Sequence, residues 1–163
     1  MSFDGYAFDL EKVKQAANQS PYYKHLNLKL VTFSEKECFM TMEIEDRHLN
    51  INGTVHGGAI ASLADSACSL ALATVIGDKE FMATQNLDVN YIAPAAKGIL
   101  KARGWVVHRG RFTAILEADI FDGSGTLIAH AHTVHAIRKA GGASGSRERR
   151  SLSDVTSAQS THR

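Results

Sequence analysis

The stretch from Asn50 to Thr74, NINGTVHGGAIASLADSACSLALAT, brings together residue types that can do chemistry. Asp65 is an acid near the middle of a run of Ala, Leu and Ser that reads as a buried helix. Burying a carboxylate is costly unless something compensates its charge. Asp65 therefore either reaches a polar cleft or has good structural partners. Ser62, Asp65, Ser66 and Ser69 stand at i, i+3, i+4 and i+7, one stripe of a helix. The carboxylate thus lies on a narrow seam of small polar side chains, suited to another surface or to a ligand cleft. Just upstream, NGTVHGGA places Gly57 and Gly58 at the helix start. Glycine lets a ligand approach the backbone closely. The first turn of a helix offers free N–H groups at the positive end of its dipole. Together these can hold an anion, or a carbonyl oxygen that becomes one. A plain glycine turn into the helix is equally compatible with the local sequence.

Spacing adds a constraint. Gly57 and Asp65 are eight residues apart, which is about 12 Å along a helix axis. One carbonyl does not readily meet both the Gly57 N–H and the Asp65 carboxylate of the same chain. If both act on one substrate, they come from two protomers, and two sites form at a two-fold interface.

The elements that must position these groups are helices and antiparallel strands. Asp9 can cap a first helix, about 9–18, which Pro21 stops. NLKLVTFSE and ECFMTMEIED alternate apolar and polar residues about a Ser34–Lys36 turn. Phe39, Thr41, Glu43 and Glu45 share one face of the second run, and Met40, Met42 and Ile44 the other. The central helix spans Gly58 to Ile76, with Gly77 near its C′ position. Four further strand-like runs follow: FMATQNLDVNYIAP, GILKARGWVVH, FTAILEADIF and TLIAHAHTVHAIR. Their links are short, which suits antiparallel neighbours rather than βαβ crossovers. In the second of them Leu100, Ala102, Gly104 and Val106 share a face. The expected architecture is α+β: about six antiparallel strands with one core face, covered by a helix that is apolar almost all round.

Composition bounds the rest. A chain of 163 residues is most simply one domain with a tail: a domain over 1–139 and a tail over 140–163. The tail has no aromatic and few apolar residues, so disorder is expected there. A formal charge of +1 argues against a large nucleic-acid footprint. No apolar run is long and pure enough to span a bilayer, and the opening MSFDGYAFDLEKVKQ lacks the pattern of a signal peptide. Cys38 and Cys68 lie in apolar surroundings and read as reduced, buried small hydrophobes of a cytoplasmic protein.

Asn50, Gly53, His56, Gly57, Gly58 and Asp65 form the pattern N-x-x-G-x-x-H-G-G-x(6)-D. In this, the sequence resembles the hotdog-fold acyl-CoA thioesterases of the PaaI-like (phenylacetic acid degradation) group. The resemblance extends through NLDVNYIAPAAKG and the last strands, about 26–138. It implies a hotdog fold, with the sheet wrapped round the long helix. It also implies a homodimer or homotetramer with sites between protomers, and hydrolysis of an acyl-CoA to a free acid and CoA without cofactor or metal. Carried over residue by residue, the oxyanion donor falls on the Gly57 N–H, with Gly58 beside it at the substrate. The acid, a general base or nucleophile, falls on Asp65. His56 and Asn50 match positions that shape the loop and help place the thioester. Thr84 falls where relatives carry a hydroxyl that helps hold the attacking group. Relatives with Glu in place of Asp65 reach one methylene further, so direct attack and attack through water both stay open.

Other residues have plainer roles beside their chemical ones. Arg109 and Arg111 in HRGRF could meet the phosphates of CoA, or be ordinary solvated turn arginines. In HAHTVH, His130 and His132 share a strand face and His135 points to the other. Two histidines without further ligands do not make a zinc site. Asp88 and Asp119 read as solvent-facing, and Trp105 and Tyr91 as packing residues. Ser62, Ser66 and Ser69 lack a G-x-S-x-G setting. Two alternatives share the fold: an acyl-CoA hydratase or dehydratase using His56 and Asp65, and a non-catalytic acyl-CoA-binding module. Binding alone gives no reason for an acid on the seam.

Overall fold

The computed structural model describes residues 10–77 and 79–139. Asp9, the expected cap, and the 140–163 tail lie outside the described residues. The first helix, α1, runs Leu10–Gln19. Pro21 does not simply end it. It opens a second helix, α2, Pro21–His25, in which the Ser20 side chain accepts from the Tyr23 N–H. Proline suits a first helical position because the N–H it lacks would have no partner there.

Two strands follow, β1 (Leu28–Ser34) and β2 (Glu37–Glu43), joined by a turn in which Lys36 has φ 65°. The central helix α3 covers Gly57–Ala73. After it come β3 (Glu80–Tyr91), β4 (Ile99–Arg109), β5 (Thr113–Phe121) and β6 (Leu127–Lys139). The six strands form one antiparallel sheet in the order β1-β2-β4-β5-β6-β3. β3 leaves the helix, crosses to the far side and, among the described residues, pairs only with β6, so it forms an edge of the sheet.

The alternation read in the sequence sets the core. Met40 and Met42 of β2, Leu100, Ala102 and Val106 of β4, and Leu116, Ala118 and Ile120 of β5 are buried. Leu63, Ala64, Ala67, Cys68, Ala71 and Leu72 of α3 are buried against them. Small residues let this helix sit low on the sheet. A Cβ on Gly104 would lie 2.5 Å from the Ala67 carbonyl carbon and 2.8 Å from the Cys68 nitrogen. Only a residue without a side chain admits the helix backbone this close. Cys38 pairs with Gly104 across the ladder. Cys38 and Cys68 are both free and buried, and burial pushes each thiol up to about 12.

The helix ends earlier than expected, at Ala73 rather than Ile76. The Thr74 hydroxyl donates to the Ala71 carbonyl and accepts from the Lys36 N–H, closing the helix end onto the β1–β2 turn. Gly77 is therefore not the C′ residue. Its N–H donates to Glu80 at the start of β3.

β3 carries a bulge at Gln85: Thr84 is opposite His135, but Asn86 is opposite Val134. Side chains alternate along a strand, so residues an odd number apart normally face opposite ways. The extra residue cancels that rule here. Thr84 and Tyr91 both turn toward α3 and both bond to it.

Candidate active site

Asp65 lies two turns into α3, on the side that faces β3. The Thr84 hydroxyl donates to its Oδ1 at 2.8 Å. The Asp65 side chain is 35% exposed, so it is held and still reached by solvent. His135, opposite Thr84 on β6, is fully buried, with its Nε2 4.0 Å from the same oxygen. Burial pushes the His135 imidazole below its ordinary value, and the Asp65 charge partly opposes this.

The rest of the polar seam is not open as the stripe alone implies. Ser62 donates to the Gly58 carbonyl at 2.8 Å and bonds the Tyr22 hydroxyl at 2.6 Å. A serine has one proton to give, so Tyr22 is the donor in that second contact. The Tyr23 phenol lies beside Ser66, and burial raises it above the ordinary value. The short helix α2, absent from the sequence reading, thus lays two tyrosines over the seam. The signal for it was the order Ser20-Pro21, a capping residue followed by a proline at the first helical position.

The other cluster is at the start of α3. Leu49 bridges to Val55, and Asn50 braces the loop between them. The Asn50 Oδ1 accepts from the N–H groups of Asn52 and Thr54, and its Nδ2 donates to the Thr54 hydroxyl. The His56 N–H donates to the His48 carbonyl at 2.7 Å. His56 then caps the helix, its Nδ1 accepting from the Gly58 N–H at 3.1 Å. With Nδ1 an acceptor, the proton of the neutral ring sits on Nε2. Among the described residues nothing accepts from the Gly57 N–H. The Tyr91 hydroxyl donates to the Gly57 carbonyl at 2.9 Å, and the tyrosine is 54% exposed. Tyr91, read from sequence as a packing residue, therefore also lines the open side of this helix start.

The structure thus brings Asp65 and Thr84 together, and separately Asn50, His56, Gly57 and Gly58. It does not bring Arg109 or Arg111 to either cluster. Arg109 pairs with Glu80, near the C-terminal end of α3. The Gly77 N–H and the Arg109 guanidinium hold the Glu80 carboxyl below the usual carboxylate range. The Arg111 guanidinium lies over the Phe112 ring, 4.9 Å from its centroid. On the outer face of the sheet, His130 bonds Asp119 at 2.8 Å, leaving Asp119 half-buried rather than simply solvated. Among the described residues no three His, Cys, Asp or Glu side chains are placed to hold a metal ion. A groove of about 450 Å³, lined by Phe39, Arg103, Phe121 and the turn after β5, also opens on this outer face, away from Asp65. Among the described residues no helix is long and apolar enough to cross a membrane.

The family model described as Thioesterase superfamily matches residues 52–129, from the loop before α3 into β6. Over that span, just under half of the chain, the sequence is similar to the thioesterase superfamily. Its six-stranded sheet around one long helix is the hotdog fold. A thioesterase from Haemophilus influenzae shares that fold with a TM-score of 0.79 at 22% identity, over 85% of this chain and 96% of that one. A Saccharolobus solfataricus protein that bears an esterase name is 28% identical, over 75% of this chain and 85% of its own length. A 1,4-dihydroxy-2-naphthoyl-CoA hydrolase from Listeria monocytogenes is 23% identical, over 70% of this chain and 93% of its own. The residues matched to the thioesterase superfamily include Gly57, Asp65 and Thr84. His135 lies beyond them.

Proposed function

We propose that this chain hydrolyses acyl-CoA thioesters, with Asp65 as the acid of the reaction and the Gly57 N–H as the oxyanion donor. The observation that carries this reading is the state of Asp65: a carboxylate on a largely apolar helix, held by Thr84 and reachable from solvent. A purely structural acid in that position would be enclosed by its partners.

Water attacks the carbonyl carbon while Asp65 takes its proton. Alternatively, the carboxylate attacks directly and the mixed anhydride is then hydrolysed. In either route the C–S bond breaks and CoA leaves as the thiol. The negative charge that develops on the carbonyl oxygen meets the Gly57 N–H at the positive end of the α3 dipole. The Nε2–H of His56 is a second donor at the same helix start. Asn50 keeps the loop that carries both in shape.

Two copies of the chain make each site. Gly57 and Asp65 of one chain stand about 12 Å apart along α3, too far to share one carbonyl. A partner's helix start facing Asp65 closes that gap. β3 supports this, as a sheet edge with Phe81 51% and Tyr91 54% exposed. Dimers or tetramers follow, in the cytoplasm. CoA phosphates fall to Arg111 before Arg109, because Glu80 already claims Arg109.

The test is release of free thiol from a panel of acyl-CoAs by the wild type, Asp65→Ala and Asp65→Asn. Turnover in the wild type that both variants lose, with unchanged melting, supports the reading. No release, with tight binding of one acyl-CoA, moves the chain to a binding module. A single turnover in ¹⁸O-water tests the direct route: label in Asp65 shows an anhydride hydrolysed at the Asp65 carbonyl, and label in the acid product alone means that water attacked the substrate's own carbonyl carbon.

A further inference from the structure

His135 is a group the reaction as drawn does not use. It sits in the core with no exposure, and among the described residues neither ring nitrogen has a hydrogen-bond partner. Leaving a buried polar atom unpaired is destabilising, and an apolar side chain in its place would avoid that. The ring is not randomly placed. Its neighbours across the ladders are Thr84 on β3 and Ala114 on β5, and Asp65 on α3 is the charged group that acts on it. Its Nε2 points to Oδ1 of Asp65, the oxygen that already receives the Thr84 hydroxyl.

We propose that His135 is a positioning residue for Asp65: the neutral imidazole donates its Nε2–H to Oδ1, so that Thr84 and His135 together fix that oxygen and leave Oδ2 to react. The inference rests on the reading of Asp65 as the acid of the site. At 4.0 Å the contact is longer than a hydrogen bond. Catalytic hydrogen bonds are often long without substrate and shorten in the complex. A small rotation of the half-exposed carboxylate is enough to close this one. A neutral ring suits the task, because a buried cation would pair with Asp65 and quench it as a base. Burial keeps the ring neutral at the pH of a working esterase.

The experiment compares His135→Gln, His135→Asn and His135→Leu on an acyl-CoA that the wild type turns over. The amide nitrogen of Gln reaches about as far as Nε2, and that of Asn does not. The expected result is kcat close to wild type for H135Q and a loss on the order of tenfold or more for H135N and H135L, with KM unchanged. H135L should melt no lower than the wild type, since it removes unpaired polar atoms from the core. Wild-type kcat in H135L overturns the inference. So does a loss that follows melting temperature rather than reach. In parallel, ¹⁵N NMR of the wild type reads the ring directly and does not depend on any variant folding. A neutral ring protonated on Nε2, whose signal moves in Asp65→Asn, supports the proposal. A cationic ring, or a proton on Nδ1, overturns it. If Asp65→Asn itself turns over normally, the reading of the whole site fails. If that variant is inactive while H135L is unimpaired, only the role of His135 falls.

Discussion

The Tyr91 hydroxyl holds the Gly57 carbonyl, and its ring fills the space where a side chain at position 57 would go. A Cβ on Gly57 would lie 3.0 Å from both the ring carbon that bears the hydroxyl and the hydroxyl oxygen. Gly57→Ala should therefore push the half-exposed ring aside and turn the first peptide of α3. Turnover should fall at least tenfold if that peptide's N–H is the oxyanion donor, while the melting temperature changes little. Tyr91→Phe removes one exposed hydrogen bond, worth about 1 kcal/mol at most, and should keep most activity. Steady-state kinetics and thermal melts on the two variants check both statements.

Gly104 makes the opposite case, a glycine whose replacement costs stability. A methyl group there meets helix backbone at 2.5 to 2.8 Å, and backbone cannot rotate away as a side chain can. Gly104→Ala should force α3 off β4 and cost about 1–3 kcal/mol or more. Denaturant titration should show a lower midpoint. An unchanged midpoint would mean the helix sits higher on the sheet than described.

Two buried histidines give stability a pH dependence. Burial is the main cause that pushes both His48 and His135 below their ordinary values. Above about pH 7 each is neutral folded or unfolded, and neither contributes a slope. As the pH falls below about 6.5 the unfolded chain takes up protons that the native chain refuses. Stability should therefore be flat above neutrality and decline on the acid side, down to the folded values. Thermal melts across that range check the sign, and H135L should show a shallower decline.

The cysteines should be silent in the native state. Thiolate is the reactive form, and burial pushes Cys38 and Cys68 to about 12. At mildly alkaline pH, native protein should resist alkylation at both, and denatured protein should take label at both. Mass spectrometry after a short pulse of alkylating agent reads the outcome. Stoichiometric labelling of either cysteine in folded protein would contradict the burial described.

Much of this architecture was legible locally. Alternation told the buried face of β2 from its outer face, because a strand repeats every second residue whatever it pairs with. The central helix announced itself through its apolar length and its HGG entrance. Ends and long-range pairings were harder. Pro21 reads as a stop in isolation, but Ser20 makes it a start. Thr74 rather than Gly77 closes α3, because its hydroxyl finds Lys36 on a distant turn. His135 could be assigned to the opposite face from His130 and His132 by parity alone. Nothing local says that Asp65 lies beneath that face, since the two meet only after β6 pairs with β3 and α3 packs across both.

The bulge at Gln85 has a bearing on how such a site can vary over time. Thr84 and Tyr91 hold Asp65 and the Gly57 carbonyl of α3 from a single strand, and they do so only because the strand is out of phase with itself between them. Substitution can exchange either residue while the other stays where it is. Removing the one extra residue would turn one of the two away from the helix, so both could not remain. Descendants of this chain are free to change their chemistry letter by letter, but not their chain length at this point.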